Sequence, residues 1–268
     1  MDPASILVGH LVLPDEWLQQ QAPQSLQRQW LTTGEADRFQ ELRQSADRWR
    51  LLAGRFLMRH CIREFYGIDF ALFKYGDHNK PSLTQPGMIP ATSPKHLDVN
   101  LTHDRHHVMA AFSAANEVGI DVTTLTDFSV WAEFADDYLA AEEVAWVQKA
   151  PENEQPLRAA RLWTLKEAIL KSTGHGLDID PREILLAPGT VCPILRLPSG
   201  LPPVGAFALH EWQIDAQTRG ALASVQRPAA SNEIAISIPP PPLRIVDIPA
   251  QKLMPEPFKK EKSCFALA

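Results

Sequence analysis

Two short segments of this 268-residue chain concentrate the residue types that handle phosphate and divalent metal: Val118-Gly119-Ile120-Asp121-Val122 and Trp163-Thr164-Leu165-Lys166-Glu167-Ala168-Ile169-Leu170-Lys171. On a strand of period two, Val118, Ile120 and Val122 share one face, while Gly119, Asp121 and Thr123 share the other. On a helix, Glu167 and Lys171 fall one turn apart on a common face. Leu162, Trp163, Leu165, Ile169 and Leu170 form the apolar stripe, which Lys166 interrupts. Magnesium takes oxygen ligands, usually one or two carboxylates from protein, and completes its shell with water and substrate phosphates. Asp121 and Glu167 meet that need. Lys171 is then placed to meet a phosphate oxygen, and Lys166 to steady a second charged group or to snorkel out of the core. Spacing alone leaves a second reading open, because a glutamate four residues before a lysine is also the ordinary helix-stabilising pair, worth about 0.2–0.5 kcal/mol.

The elements that must position these groups follow from periodicity. Ile6 to Leu13 reads as a strand, Ala46 to Tyr66 as a long helix, and Leu97 to His103 with His107 to Ala114 as an antiparallel hairpin. The strand through Asp121 follows, then helices over Trp131 to Ala150 and Leu157 to Ser172, and strands near Ala206 to Ile214 and Gly220 to Gln226. The class is α+β. Gly174-His175-Gly176 ends the helix of Glu167, since glycine tolerates positive φ. His103, Asp104, Arg105, His106 and His107 resemble metal ligands only as a string. In a hairpin turn, alternation sends neighbours to opposite faces. From Pro228 the chain changes character: the run Pro239 to Pro242 favours a stiff extended segment leaving the domain, and Lys259, Lys260 and Lys262 form a short basic patch beyond it.

Composition narrows the function classes. A formal net charge of −6 provides no global basic field, so nucleic acid is not an expected partner. Three cysteines, Cys61, Cys192 and Cys264, are too scattered for a disulfide framework or zinc knuckle and suit a reducing, cytoplasmic setting. No run approaches the ~20 apolar residues of a membrane span, and neither a Walker loop nor a dinucleotide fingerprint is present.

Gly119-Ile120-Asp121-Val122, followed by Trp163 to Lys171 and directly by Gly174-His175-Gly176-Leu177, resembles the 4'-phosphopantetheinyl transferases, in particular their larger, internally duplicated class. Asn79-Lys80-Pro81 and Asn100-Leu101-Thr102-His103-Asp104 occur in the family's order, and the resemblance runs from about the first helix to Val225. It implies two similar lobes related by pseudo-twofold symmetry: residues 1–115, residues 116–227 with the metal site, and a proline-containing extended tail at 228–268. It also implies a monomeric, magnesium-dependent enzyme. This would transfer the 4'-phosphopantetheine arm of coenzyme A to a serine of an acyl- or peptidyl-carrier protein, releasing adenosine 3',5'-bisphosphate. The roles carried over are magnesium binding by Asp121 and Glu167, and proton acceptance by Glu167, directly or through water. Charge stabilisation falls to Lys171, and coenzyme A contacts to Arg50, Lys80, Thr102, His103, Lys166 and Lys171. Arg38, Arg48 and Arg55 offer further guanidinium forks for phosphate. Phe128, Val130, Trp131 and Phe134 occupy the family's carrier-contacting region, with core packing as the other reading. Many members carry a second acid where this chain has Thr123, so an extra water is expected on the metal there. Two other functions stay open: a non-catalytic coenzyme A or nucleotide-binding protein on the same fold, and a metal-dependent phosphoester hydrolase.

Overall fold

The computed structural model describes residues 5–68, 72–75, 80–84, 96–187, 193–226 and 241–254. The chain opens with β1 (Ile6–Val12), three short helices α1 (Asp15–Leu18), α2 (Gln24–Trp30) and α3 (Thr33–Glu41), and the long α4 (Ser45–Tyr66). Thr32 and Glu35 bond reciprocally at the start of α3, and Gly67 at φ +68 ends α4, each a terminus signal present in the sequence. Strands β2 (Leu72–Tyr75), β3 (Pro81–Thr84), β4 (Asp98–Asp104) and β5 (His107–Ser113) follow. The second half contains β6 (Asn116–Thr124), α5 (Trp131–Tyr138), α6 (Ala141–Gln148) and α7 (Gln155–Thr173). It continues with β7 (Leu185–Leu186), β8 (Ile194–Arg196), β9 (Phe207–Gln213), β10 (Thr218–Gln226) and β11 (Leu243–Asp247).

One sheet runs in the order β11-β1-β5-β4-β3-β2, a second β6-β10-β9, and β7 and β8 form a small ribbon. β1 reads as a continuous apolar run because it is covered on both faces. Leu7 and Leu11 meet α4 in one core. Ile6 and Val8, together with Met109 and Ala111 of β5, meet Val118, Ile120, Val122 and Leu222 of the second sheet in another. On the far side of that sheet, Ala221 and Ala223 pack with Leu162, Leu165 and Ile169 of α7. The order of layers is therefore helix, sheet, sheet, helix, and the α+β class holds. No helix among the described residues is long and apolar enough to cross a membrane.

Two expectations need correction. The helix expected over Trp131 to Ala150 is two helices, because Ala140 is extended (ψ 156) and its N–H is taken by Glu143 Oε2 at 2.8 Å, restarting the helix there. Residues 241–254 of the tail do not leave the domain. β11 pairs in parallel with β1, Ile6 opposite Leu243 through His10 opposite Asp247. Ile248, Ala250 and Leu253 are buried in the first core, and Trp30 Nε1 donates to the Leu253 carbonyl at 3.3 Å. The proline run thus precedes a returning edge strand. The lysines at 259, 260 and 262, together with Cys192 and Cys264, lie outside the described residues.

Candidate functional site

Gly119 sets the site. A Cβ there would collide with the backbone of Ala168 and Ser172, so α7 lies directly on β6, closer than any side chain would allow. Two residues along the same strand face, Asp121 comes level with the last turns of α7. The lysine and glutamate that helical spacing puts on one face meet it there. Lys171 Nζ is 2.6 Å from Asp121 Oδ1 and 3.5 Å from Glu167 Oε2. α7 then stops at Gly174, φ +75, as glycine permits.

β6 is an edge of its sheet, and its outward backbone is satisfied by side chains of β4. Asp98, Asn100 and Thr102 share one face of that strand by period two. Asp98 Oδ2 accepts from the Val118 N–H at 2.7 Å and Asn100 Oδ1 from the Ile120 N–H at 2.9 Å. The third of the row, Thr102 Oγ1, donates to Asp121 Oδ1 at 3.0 Å. Thr123 Oγ1 donates to Asp121 Oδ2 at 3.1 Å, so both carboxylate oxygens are held. Asp98 and Asn100 are residues that sequence reasoning missed. The signal was present, since polar residues alternating on a strand with an apolar opposite face need buried partners.

Burial raises the affinity of Glu167 for its proton and the charge of Asp121 raises it further, with Lys171 opposing. Burial alone would lower Lys171, but Asp121 and Glu167 outweigh it and hold the ammonium protonated. Two carboxylates from different elements thus aim at one point and share one cation. Such a pair of carboxylates is the kind of donor set that a hard, oxygen-seeking divalent ion takes.

Beside this trio opens a cleft of about 400 Å³ lined by Arg38, Arg50, Arg55, Lys80, His103 and Lys171, among others. Arg50 is fixed by two bonds, to Asp47 Oδ1 at 2.7 Å and to the Arg105 carbonyl at 2.8 Å. Arg55 is engaged by Glu35 at 2.5 Å. Lys80 meets Asp98 at 2.9 Å, Glu117 at 3.4 Å and the Ser172 carbonyl at 3.0 Å, which ties the rim of the cleft to the end of α7. His96, Asp98 and Glu117 come within 4.8 Å of one another as a possible metal group, yet Lys80 already serves both carboxylates. Desolvation in the cleft wall, then the charges of Arg50 and Lys171, lower the proton affinity of His103.

Two expected coenzyme contacts are placed elsewhere. Lys166 is fully buried on the opposite side of α7. Its ammonium bonds Glu143 at 2.5 Å, the Pro181 carbonyl at 2.9 Å and the Tyr138 carbonyl at 3.0 Å, so it holds the α6 layer and has no access to the cleft. Thr102 turns to Asp121 while His103 faces the cleft, as alternation requires of neighbours on a strand. In the segment expected to meet a carrier, Phe128 and Trp131 are buried and Val130 is exposed. The side chain of Phe134 lies outside the described ones.

Residues 117–220 match the family model described as the 4'-phosphopantetheinyl transferase superfamily. The chain is 27% identical over 148 residues to 4'-phosphopantetheinyl transferase HetI of Nostoc sp., covering 53% of this chain and 59% of that protein. It is 32% identical over 156 residues to 4'-phosphopantetheinyl transferase pptA of Paxillus involutus, covering 52% and 57%. It is also 26% identical over 135 residues to a Bacillus subtilis 4'-phosphopantetheinyl transferase, covering 50% and 55%. The matched stretch therefore spans under two thirds of each relative's length. A holo-(acyl-carrier-protein) synthase from Bacillus anthracis str. Ames, solved in complex with CoA (3',5'-ADP), overlays with TM-score 0.35 and 15% identity. That overlay covers 42% of this chain and 97% of that one, a likeness too loose to build on. Asp121, Glu167 and Lys171 all lie within the stretch that matches the 4'-phosphopantetheinyl transferase superfamily model.

Proposed function

We propose that this protein transfers the 4'-phosphopantetheine arm of coenzyme A to a serine hydroxyl of an acyl- or peptidyl-carrier protein, releasing adenosine 3',5'-bisphosphate. The observation that carries this is the meeting of Asp121, Glu167 and Lys171 at the end of a cleft walled by Arg38, Arg50, Lys80 and His103. The nucleotide end of coenzyme A lies along the basic wall, with its pyrophosphate toward Lys171. In the transfer step the serine oxygen bonds to the phosphorus of the arm and the bond from that phosphorus to the leaving nucleotide breaks. The serine proton passes to the Glu167 carboxylate. Burial favours that acceptance by raising the carboxylate's proton affinity. Lys171 donates to the phosphate oxygen on which charge grows. Thr102 and Thr123 hold the Asp121 carboxylate in one orientation. When bound, a magnesium ion on Asp121 and Glu167 supplies neutralisation of the pyrophosphate charge.

The two-lobe arrangement is part of the same proposal. In each half the first strand pairs with the last and the last with its predecessor, β1-β5-β4 and β6-β10-β9. Each half also lays its long helix over a glycine of its first strand: Gly9 beneath Cys61 and Gly119 beneath Ala168. This supports lobes at 1–115 and 116–227, with the 241–254 segment rejoining the first.

The test is incubation of the protein with coenzyme A, magnesium and apo-carrier proteins, read by intact mass for addition of the phosphopantetheine arm. Unmodified carriers throughout a broad panel would refute the proposal. Asp121→Asn and Glu167→Gln are expected to fold but to lose transfer, and magnesium is expected to raise the melting temperature of the wild type but of neither variant. Retained transfer in both would remove the metal assignment.

A further inference from the structure

Away from Asp121 and Glu167, four residues far apart in sequence form an unbroken chain. Asp247 Oδ1, at the end of β11, is 2.8 Å from His10 Nδ1 on β1. His10 Nε2 is 3.0 Å from His107 Nδ1 on β5, and His107 Nε2 is 3.3 Å from Asp215 Oδ2 in the turn between β9 and β10. The two rings lie within 14° of coplanar with centroids 5.3 Å apart, the separation expected of imidazoles joined tip to tip through one N–H···N bond. Both imidazoles are buried. The outer carboxylates reach solvent, with side-chain exposures of 85% for Asp247 and 48% for Asp215.

Counting donors shows how many protons the chain accommodates. A neutral imidazole carries one N–H. With both rings neutral and the central bond kept, only one of the two carboxylates receives an imidazole N–H, although Asp215 also accepts from the Gln217 N–H at 2.7 Å. If His10 serves Asp247, His107 Nε2 turns a lone pair toward Asp215, and Thr218 Oγ1, 3.4 Å from that nitrogen, is the donor available to it. One added proton completes every joint: carboxylate, N–H, N–H···N, N–H, carboxylate. A second added proton sets two N–H groups against each other at 3.0 Å and breaks the central bond.

We propose that Asp247, His10, His107 and Asp215 form a one-proton clasp that fastens the C-terminal strand and the β9–β10 turn to β1 and β5, and that a second proton opens it. The groups around His107 act in both directions, and burial is the largest of the influences. Burial, and after it the charge of His10, hold His107 below the ordinary imidazole range. Asp215 opposes this from the β9–β10 turn, His106 adds to it and Asp104 opposes it from the hairpin. Beyond them Asp15 of α1 lies 3.5 Å from His106. Because the folded value of His107 lies below the unfolded one, the unfolded state binds more protons in acid. The clasp's contribution is therefore lost as pH falls through the folded value of His107, where the second proton enters.

Amide hydrogen exchange of the full chain between pH 7.5 and 5, corrected for intrinsic rates, tests this. Protection of amides 243–248 relative to those of α4 is expected to fall with pH, by up to about tenfold for each unit by which His107 is depressed. In His107→Gln, which bonds at both ends but takes no proton, that relative fall is expected to vanish. Should His107→Gln fail to fold, His10→Gln is the second variant: it removes the neighbouring charge and leaves a single base, so the fall is expected to shrink to the part set by burial of His107. Equal loss of protection in β11 and α4 of the wild type, or an unchanged fall in the variant that folds, would overturn the proposal.

Discussion

Gly119 and Ala168 are in such close approach that the helix bearing Glu167 and Lys171 rests on bare backbone of the strand bearing Asp121. The distance from Lys171 Nζ to Asp121, 2.6 Å, depends on that approach. Gly119→Ala must therefore lift α7 or bend β6, since the obstacle is backbone and cannot rotate away. Overpacking of this kind costs about 1–3 kcal/mol. The expected result is a lowered urea midpoint together with a fall in transfer larger than the unfolded fraction explains. A variant of normal activity and stability would show that the helix can shift freely.

Lys166 supplies a contrast one residue from Glu167. Its pair with Glu143 is almost wholly buried, with side-chain exposures of 0% and 1%, and Glu143 also caps the Leu186 N–H at 2.9 Å. Burial works to lower the lysine's proton affinity and the glutamate beside it offsets this. Lys166→Ala leaves a buried carboxylate without its cation, a loss expected to cost about 3–5 kcal/mol. Denaturant titration should show that loss, while the KM for coenzyme A of the folded enzyme should stay unchanged. A raised KM at full stability would return Lys166 to the cleft.

Asp98 gives the site a pH dependence with a defined sign. Burial, with Glu117 adding and Lys80 opposing, pushes its carboxyl up to about 7 from an ordinary 3.8. Between those values the folded state binds the proton and the unfolded state does not, so the carboxylate's burial cost enters as pH rises through the window. Each unit corresponds to about 1.4 kcal/mol, shared here with Glu117. Asp98→Asn still accepts from Val118 and is free of this cost. Between pH 5 and pH 8 the wild type should lose more stability than the variant, as judged from urea midpoints. Parallel profiles would contradict the assignment.

How much of this was legible follows from which distances are local. Periods of two and 3.6 placed Asp121 with Gly119 on one strand face and Glu167 with Lys171 on one helix face, each within one element; that the two faces serve one site came from the family resemblance. Lys166 was not. Its neighbours Glu143, Tyr138 and Pro181 come from segments whose placement depends on the break at Ala140. Thr102 and His103 were read as a pair, although strand alternation already forbade a shared face. Asp98 and Asn100 carried a visible polar alternation whose meaning required the second sheet edge to be known.

The tail shows the same limit and yields the last prediction. Leu243-Arg-Ile-Val-Asp247 is a short β-branched run whose partner, β1, lies at the other end of the chain, so no local pattern could pair them. Pro242 is compatible with an edge strand, because its carbonyl accepts from the Ile6 N–H at 2.9 Å and it has no N–H of its own to leave unpaired. Ending the chain after Ala230 would remove the β11 ladder and its bond from the Ile248 N–H to the His10 carbonyl, 2.7 Å. It would also remove Ile248 and Leu253, buried to 5% and 0% exposure. Burial of two such side chains contributes about 3–6 kcal/mol together, and the truncation uncovers Trp30 and the outer edge of β1 as well. The truncated protein is expected to melt well below the full chain and to aggregate through the freed edge. Ile248→Ala combined with Leu253→Ala in the full chain should reproduce most of the loss without exposing that edge. A truncated protein with an unchanged melting temperature would show that β11 contributes nothing to the fold.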